Sequence, residues 1–94
     1  MPIYAVTYGY SPTEAAGRDR VRPDHRAFLA EQDGLLLSGP TDDGALLLFE
    51  AKSAVELEDL LDEDPFWTEH LVAERTIVEW KPVTGPWRDT LNLD

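Results

Sequence analysis

Residues 35–49 have the sequence LLLSGPTDDGALLLF, and this stretch decides the fold of the chain. It consists of two short apolar runs, at 35–38 and 45–49, separated by the sequence Gly-Pro-Thr-Asp-Asp-Gly. Glycine, proline and aspartate favour turns, so two apolar runs joined in this way predict a β-hairpin. The hairpin is expected in the middle of the fold because helix signals flank it on both sides.

A helix is predicted before the hairpin, from about Val21 onward. Pro23 suits its first turn and Gly34 its C-terminal stop. Apolar and semi-apolar residues follow each other at spacings of three and four, which places them on one helical face. These residues are Val21, His25, Phe28, Leu29 and Gln32. His25 is therefore predicted to lie on the inward face of the helix.

A second helix is predicted after the hairpin, because Ser53 and Glu56 form a capping box. Its expected buried residues are Ala54, Leu57, Leu60 and Leu61. The sequence Asp-Pro-Phe-Trp at 64–67 then begins a separate short turn or helix. Stretches rich in β-branched and aromatic residues at 3–10 and 72–81 predict the first and last strands.

The predicted order is βαββαβ, which indicates an α+β fold with a four-stranded antiparallel sheet in the ferredoxin-like arrangement. Both helices then lie on one face of the sheet. A length of 94 residues is suited to a single domain. We assign residues 1–82 to this domain and residues 83–94 to a C-terminal extension.

Neither face of this sheet is patterned for contact with water. The first strand places Ile3, Ala5 and Thr7 on one face, and tyrosines and Val6 on the other. Because the two helices can cover only one face, we expect a second copy of the chain to cover the other, as in a face-to-face homodimer. The alternative is that single large apolar residues are tolerated on an exposed face.

The composition excludes several classes of partner. The formal net charge is −11 and the isoelectric point is about 4.3, so binding to nucleic acid or to anionic membranes is not expected. The sequence shows no apolar leader and no apolar run long enough to span a membrane, which, with the lack of cysteine, favours a cytoplasmic protein. No metal is expected, since neither H-E-x-x-H nor a calcium loop is present, and no cofactor motif was found.

His25 is the strongest candidate for proton transfer, because imidazole alone titrates near neutral pH without perturbation. Four of the eight basic residues lie close to it in sequence: Arg18, Arg20, Arg22 and Arg26. Residues 41–74, in contrast, carry eleven acidic residues and a single lysine. We predict that Arg22 binds an anionic group of a substrate. The alternative is that the arginines pair with Asp19, Asp24 and the acidic second helix.

Four motifs in order resemble the YCII-related (YciI-like) family. They are Arg-Pro-Asp-His at 22–25, Gly-Leu-Leu-Leu-Ser-Gly-Pro at 34–40, Phe-Glu at 49–50 and Asp-Pro-Phe at 64–66, followed by the closing strand. The resemblance covers residues 1–82 and implies a dimeric α/β barrel. It places the family's histidine on His25 and its aspartate on Asp64. Where an activity has been assigned in the family, it is elimination of a halide from a ring substrate.

The resemblance favours a homodimeric enzyme that uses His25 and Asp64 for cofactor-free acid-base chemistry on a small, anionic or cyclic metabolite. The reaction would be of the lyase, isomerase or dehydrohalogenase type. Asp64 would orient the imidazole ring, and Ser38 would hydrogen-bond the substrate, although a role in capping a turn is open for Ser38. The alternative function is a non-catalytic binding or assembly module. In that module His25 would be a core residue and Asp64 the N-cap of a short helix.

Overall fold

The computed structural model describes residues 1–91 and contains one four-stranded antiparallel sheet with strand order β2-β3-β1-β4. The elements in chain order are β1 (Ile3–Tyr10), α1 (Ala15–Ala30), β2 (Leu35–Pro40), β3 (Gly44–Glu50), α2 (Ala54–Leu61), α3 (Pro65–Thr68), β4 (Val72–Trp80) and α4 (Trp87–Thr90). The predicted α+β, ferredoxin-like βαββαβ fold is confirmed, with the short helices α3 and α4 added to it. The division at residue 82 stays a prediction, and residues 92–94 of the extension lie outside the described residues.

The core lies between the sheet and the helices. Alternate residues of β1, namely Tyr4, Val6 and Tyr8, point toward the helices and are buried together with Leu47 and Phe49 of β3. The helices close this core with Leu57 and Leu61 of α2, Phe66 of α3, and Val21 and Leu29 of α1. The alternation of residues along each strand therefore sets which face is buried.

Helix α1 begins earlier than the sequence predicts. Its first residue is Ala15, so Pro23 lies inside the helix and not in the first turn. The first turns of α1 are not recognisable in the sequence because the only residue that they bury is Gly17, which adds nothing to the apolar pattern. A Cβ on Gly17 would crowd the side chain of Leu71, so the glycine permits close packing of the helix at this point.

The hairpin also differs in detail from the prediction. Strand β2 continues through Gly39 and Pro40, which leaves only residues 41–43 between the two strands. Gly44 lies where β3 runs beside β1, and a Cβ at this position would overlap the carbonyl oxygen of Tyr8. In α2, Leu57 and Leu61 are buried as predicted, Leu60 is half-buried and Ala54 is exposed. The capping bond from Glu56 N–H to Ser53 Oγ is present at 3.1 Å.

The face of the sheet opposite the helices, which we call the open face, carries several exposed apolar side chains together with polar ones such as Thr7 and Thr76. It includes Leu37, Leu46, Val78 and Trp80, of which Leu37 and Val78 are about half exposed at 49% and 59%. The strand register places Val78 beside Ala5 and Trp80 beside Ile3, so the exposed side chains adjoin apolar neighbours. The predicted two-sided apolar character of the sheet is therefore present in the structure.

Candidate functional site

His25 lies on the inward face of α1, as predicted. It belongs to a row of buried residues spaced four apart, Gly17, Val21, His25 and Leu29, which is the spacing that aligns side chains on one side of a helix. Its Nδ1 atom is 2.7 Å from Oδ1 of Asp64. The two residues are separated by 39 positions in the sequence and are brought together by the fold.

Asp64 is fully buried and lies just before α3. It is the N-cap of that helix, because its Oδ1 accepts the N–H of Phe66 at 3.0 Å. Its second oxygen, Oδ2, accepts the hydroxyl of Tyr8 at 2.8 Å. Both carboxylate oxygens of Asp64 thus act as acceptors, so Nδ1 of His25 is the donor in its contact with Oδ1. We therefore assign the hydrogen to Nδ1 of His25, which leaves Nε2 as an acceptor in the neutral ring.

Phe66 fixes the plane of the imidazole ring. The rings of His25 and Phe66 are stacked, with their centroids 3.9 Å apart and their planes within 2° of each other. Tyr10 meets the edge of Phe66 at a centroid distance of 5.8 Å. The sequence Asp-Pro-Phe therefore supplies two contacts to His25, a carboxylate at its Nδ1 atom and an aromatic ring against its face.

A cavity of about 350 Å³ lies beside His25, between α1, the β2-β3 hairpin and α3. Its polar lining consists of Tyr10, Arg22, His25, Arg26 and Ser38, and its apolar lining includes Leu29, Leu47 and Phe66. Asp64 does not line it. Because Nδ1 is bonded to the buried Asp64, Nε2 is the ring nitrogen that remains for a ligand.

Three arginines of α1 differ in what they contact. Arg22 pairs with Asp19 at 2.6 Å, and Arg18 donates to the backbone oxygen of Ser11 at 2.6 Å and lies over the Tyr10 ring. Arg26 is exposed and lines the cavity. Burial raises the pKa of Tyr10, and the positive charges of Arg18 and Arg22 partly oppose this rise. The mouth of the cavity is therefore cationic although the chain as a whole is acidic.

No group of three or more histidine, aspartate or glutamate side chains suited to hold a metal ion occurs within residues 1–91.

A second cavity, of about 410 Å³, lies near the C-terminal end of α1 and is lined by acidic residues together with Lys52 and Phe49. It contains none of the residues predicted for the site.

Within residues 1–91 no helix has the length and apolar character that crossing a membrane requires.

The model of the YCII-related domain matches residues 3–81. The chain belongs to the YCII-related domain family. This confirms the resemblance inferred from the four motifs, and the matched region ends one residue before the proposed domain boundary. No curated protein is significantly similar in sequence to this YCII-related chain.

Three solved structures are similar to the YCII-related chain. The 5-chloro-2-hydroxyhydroquinone dehydrochlorinase TftG from Burkholderia phenoliruptrix, in complex with 2,5-dihydroxybenzoquinone, matches with a TM-score of 0.79 at 24% identity, covering 86% of this chain and 95% of TftG. Protein Atu4242 from Agrobacterium tumefaciens matches with a TM-score of 0.58 at 15% identity, and the match covers 88% of this chain and 94% of Atu4242. PA3566 from Pseudomonas aeruginosa matches with a TM-score of 0.53 at 16% identity, and the match covers 88% of this chain and 95% of PA3566. At these identities the likeness shows the shared fold.

The fold of the YCII-related chain brings together the four residues predicted for the site. His25, Arg22 and Ser38 line one cavity. Asp64 does not line the cavity but is hydrogen-bonded to Nδ1 of His25. Arg22 also makes the ion pair with Asp19 that the sequence left open as an alternative. The N-cap role of Asp64 and its contact with His25, which the sequence presented as alternatives, are both present.

Sequence reasoning missed three residues of this site, Tyr8, Tyr10 and Arg26. The alternation along β1 placed both tyrosines on the same face of the sheet, but it carried no information on what their hydroxyls contact. Arg26 follows Arg22 by one helical turn, which was the available signal. Among the aromatic side chains, Tyr10 and Phe66 line the cavity, whereas Trp67 packs against Arg75, and Trp80 and Trp87 are exposed.

Proposed function

We propose that this YCII-related protein is a small enzyme that uses His25 and Asp64 for cofactor-free acid-base chemistry on a small hydroxylated ring compound. One observation carries the proposal. A buried carboxylate is hydrogen-bonded to one nitrogen of His25, and the same side chain lines a cavity. This is the arrangement that a general base requires, because the carboxylate fixes the tautomer and stabilises the ring once it is protonated.

In the proposed reaction, Nε2 of His25 removes a proton from a substrate hydroxyl. The imidazolium ion that forms is stabilised by its hydrogen bond to Asp64, so a bare positive charge is not left in a buried environment. The same nitrogen can then return the proton to the substrate or to water. Proton transfer by a positioned histidine contributes about 10²-fold to 10⁴-fold to the rate.

The cavity lining supports a hydroxylated and partly anionic substrate. The guanidinium groups of Arg22 and Arg26 lie where they would stabilise an oxyanion, and the hydroxyls of Ser38 and Tyr10 can hydrogen-bond to ring oxygens. The apolar side chains of Leu29, Leu47 and Phe66 suit the carbon skeleton of a ring. A volume of about 350 Å³ is at the small end of ligand sites, which favours a single ring.

Elimination of halide is the reaction class that we favour, because TftG is named as a dehydrochlorinase. On a tautomer in which chlorine is bound to a saturated ring carbon, His25 would take the hydroxyl proton. The O–H electron pair would form a carbonyl, the ring double bond would shift, and the C–Cl bond would break to release chloride. Chloride and the proton on His25 balance the loss of HCl, so no oxidant or cofactor is needed.

We further propose that the active form is a homodimer in which two open faces pack against each other. The exposed apolar side chains Leu37, Leu46, Val78 and Trp80 would be buried by such packing. Sheets packed face to face form a core about 10 Å thick, which these four side chains are large enough to fill. The cavity beside His25 lies on the other side of the sheet, so the dimer would leave it accessible.

The experiment that tests the enzyme proposal compares the native chain with His25→Asn and His70→Asn. We expect the native chain to bind 2,5-dihydroxybenzoquinone and to release chloride from a chlorinated hydroxyhydroquinone, measured with a chloride electrode. His25→Asn is expected to lose at least about a hundredfold in rate, which is the lower end for loss of a general base. His70 is the matched control, because it is exposed and asparagine tolerates its positive φ of 59°.

Unchanged activity of His25→Asn, or an absence of both binding and chloride release in the native chain, would contradict the enzyme proposal. The alternative, a binding or assembly module, is favoured by one observation: Asp64 caps α3 in addition to holding His25. In that alternative His25→Asn and Asp64→Asn lower the melting temperature strongly, and the native chain binds the quinone without releasing chloride from the chlorinated compound.

A further inference from the structure

Tyr8 is a buried residue in the middle of β1, and its hydroxyl contacts a residue 56 positions away in the sequence, Asp64. It is only 1% exposed, so its hydroxyl is hidden from water. We propose that Tyr8 is a positioning residue that holds the Asp64 carboxylate in the orientation needed to align His25. This inference rests on the proposed function, since it extends the His25-Asp64 pair to a third member.

The two oxygens of Asp64 have separate partners. Oδ1 accepts from Nδ1 of His25 at 2.7 Å and from the N–H of Phe66 at 3.0 Å, whereas Oδ2 accepts from Tyr8 at 2.8 Å. Rotation of the carboxylate about its Cβ–Cγ bond would break bonds at both oxygens simultaneously. The bond from Tyr8 therefore fixes the orientation of the carboxylate plane that directs one oxygen at the imidazole ring.

Without Tyr8, Oδ2 would be a buried acceptor with none of the side-chain or backbone bonds described above. A buried acceptor without a donor is costly, so the carboxylate would be expected to rotate and share its remaining donors between both oxygens. His25 would then lose a fixed partner at Nδ1, and its hydrogen would be free to move to Nε2. A ring with its hydrogen on Nε2 cannot accept a proton at that atom.

Several charged and titratable groups surround the Tyr8 hydroxyl. Asp64 accepts from it, Arg75 of β4 is its cross-strand neighbour, and Tyr10 follows it on the same face of β1. Burial is the main cause that raises the pKa of Tyr8, and the negative charge of Asp64 adds to the rise. Arg75 acts in the opposite direction but is the lesser effect. The hydroxyl therefore keeps its proton, and with it the donor role, throughout the neutral range.

The test compares Tyr8→Phe with Tyr4→Phe by nitrogen-15 NMR of the histidine rings in the full chain. Tyr4 is the matched control, because it lies on the same face of the same strand and is also buried. In the native chain we expect one tautomer of His25, with a protected Nδ1–H. In Tyr8→Phe we expect mixed tautomers and exchange of the Nδ1–H with water that is about fivefold to tenfold faster, as for loss of one hydrogen bond. Tyr4→Phe is expected to match the native chain.

A His25 signature in Tyr8→Phe that equals the native signature would overturn the proposal. If Tyr8→Phe does not fold, the native chain provides a second measurement, because a hydroxyl held by Asp64 gives a slowly exchanging proton resonance. Absence of that resonance would also overturn the proposal.

These measurements need no substrate, so they separate the two proposals. A native-like signature in Tyr8→Phe, together with an altered one in Asp64→Asn, would remove Tyr8 from the site and leave the proposed function intact. Failure of the chloride-release assay would remove the proposed enzyme function and leave the result for Tyr8 unaffected.

Discussion

Asp64 is the residue that connects the candidate site to the core of the protein. Its carboxylate is buried, and its three donors come from three different elements, Tyr8 from β1, His25 from α1 and Phe66 from α3. Burial of a carboxylate costs several kcal/mol unless it is hydrogen-bonded or paired. The hydrogen bonds that orient His25 therefore also hold α1 and α3 against the sheet, and the proposed catalytic role and the structural role share the same atoms.

The sequence predicted parts of this group for identifiable reasons. His25 was predicted to face inward because helical periodicity is visible around it, and Asp64 was predicted as an N-cap because aspartate before proline is a local signal. Their contact was implied only by the family resemblance, since a separation of 39 residues carries no distance information. The bond from Tyr8 to Asp64 was missed because strand alternation fixes a side chain's face but not its hydrogen-bond partner.

Tyr8 leads to a prediction about stability at high pH. Burial and Asp64 raise the pKa of Tyr8 far above its usual value of 10.0. Above pH 10 the unfolded chain loses a phenolic proton that the folded chain retains, so the folded chain binds more protons and becomes less stable as pH rises. Stability from this group is thus complete below pH 10 and falls above it. We expect Tyr8 to contribute a decrease of about 1.4 kcal/mol per pH unit in the free energy of unfolding.

Urea denaturation at pH 8 and pH 11 would measure this effect in the native chain, Tyr8→Phe and Tyr4→Phe. Tyr8→Phe should be less stable than the native chain at pH 8 but should lose less stability on going to pH 11. Tyr4→Phe retains Tyr8, so the part of the stability loss between pH 8 and pH 11 that is due to Tyr8 should remain in this variant. Equal losses in the native chain and Tyr8→Phe would contradict the prediction.

At the scale of elements, α1 is the least regular part of the fold and also the part that carries His25. It begins at Ala15 without a side-chain cap and continues through Pro23. Sequence patterns placed Pro23 in a first turn because proline is favoured there, and the early turn around Gly17 has no apolar residue to reveal it. The hairpin and α2 were predicted closely, since turn residues and a capping box are local signals. Helix α4 was not predicted.

Pro23 supplies a prediction about the stability of α1. Proline in the interior of a helix lacks the N–H that would bond to the carbonyl of the residue four positions earlier, here Asp19, and its ring crowds that turn. An interior proline costs about 3 kcal/mol relative to alanine, offset by up to about 1 kcal/mol because proline stiffens the unfolded chain. We expect Pro23→Ala to raise the free energy of unfolding by about 2–3 kcal/mol.

Urea denaturation would measure the stability of Pro23→Ala, with Pro12→Ala as its control. Pro12 lies in the connection between β1 and α1, outside any helix, so its replacement should give no gain. Lower stability of Pro23→Ala would contradict the prediction.

At the scale of the whole molecule, the charge is divided unevenly. The chain carries a net charge of −11, yet Arg22 and Arg26 of α1 line the cavity beside His25, and Arg18 lies over the ring of Tyr10, which also lines it. An acidic surface repels most anions, so a small anion reaching the molecule meets attraction only near such a cluster. This distribution would favour a small anionic ligand at the cavity over a large polyanion, which would contact the acidic surface as well.

The open face also belongs to the scale of the whole molecule, and it leads to the final prediction, that two copies of the chain associate through it. Trp80, Leu46, Leu37 and Val78 are between 42% and 59% exposed on one sheet face, and exposed apolar patches of this kind mark interaction sites. We expect the native chain to elute at twice 10.6 kDa in size-exclusion chromatography with light scattering at micromolar concentration. Val78→Glu should convert it to a monomer, because a carboxylate on the open face would be buried in the interface without a partner. Val55→Glu is the control, since Val55 is 67% exposed on α2, away from the open face, and should leave the dimer intact. A monomeric native chain would contradict the prediction, as would a Val78→Glu variant that remains a dimer.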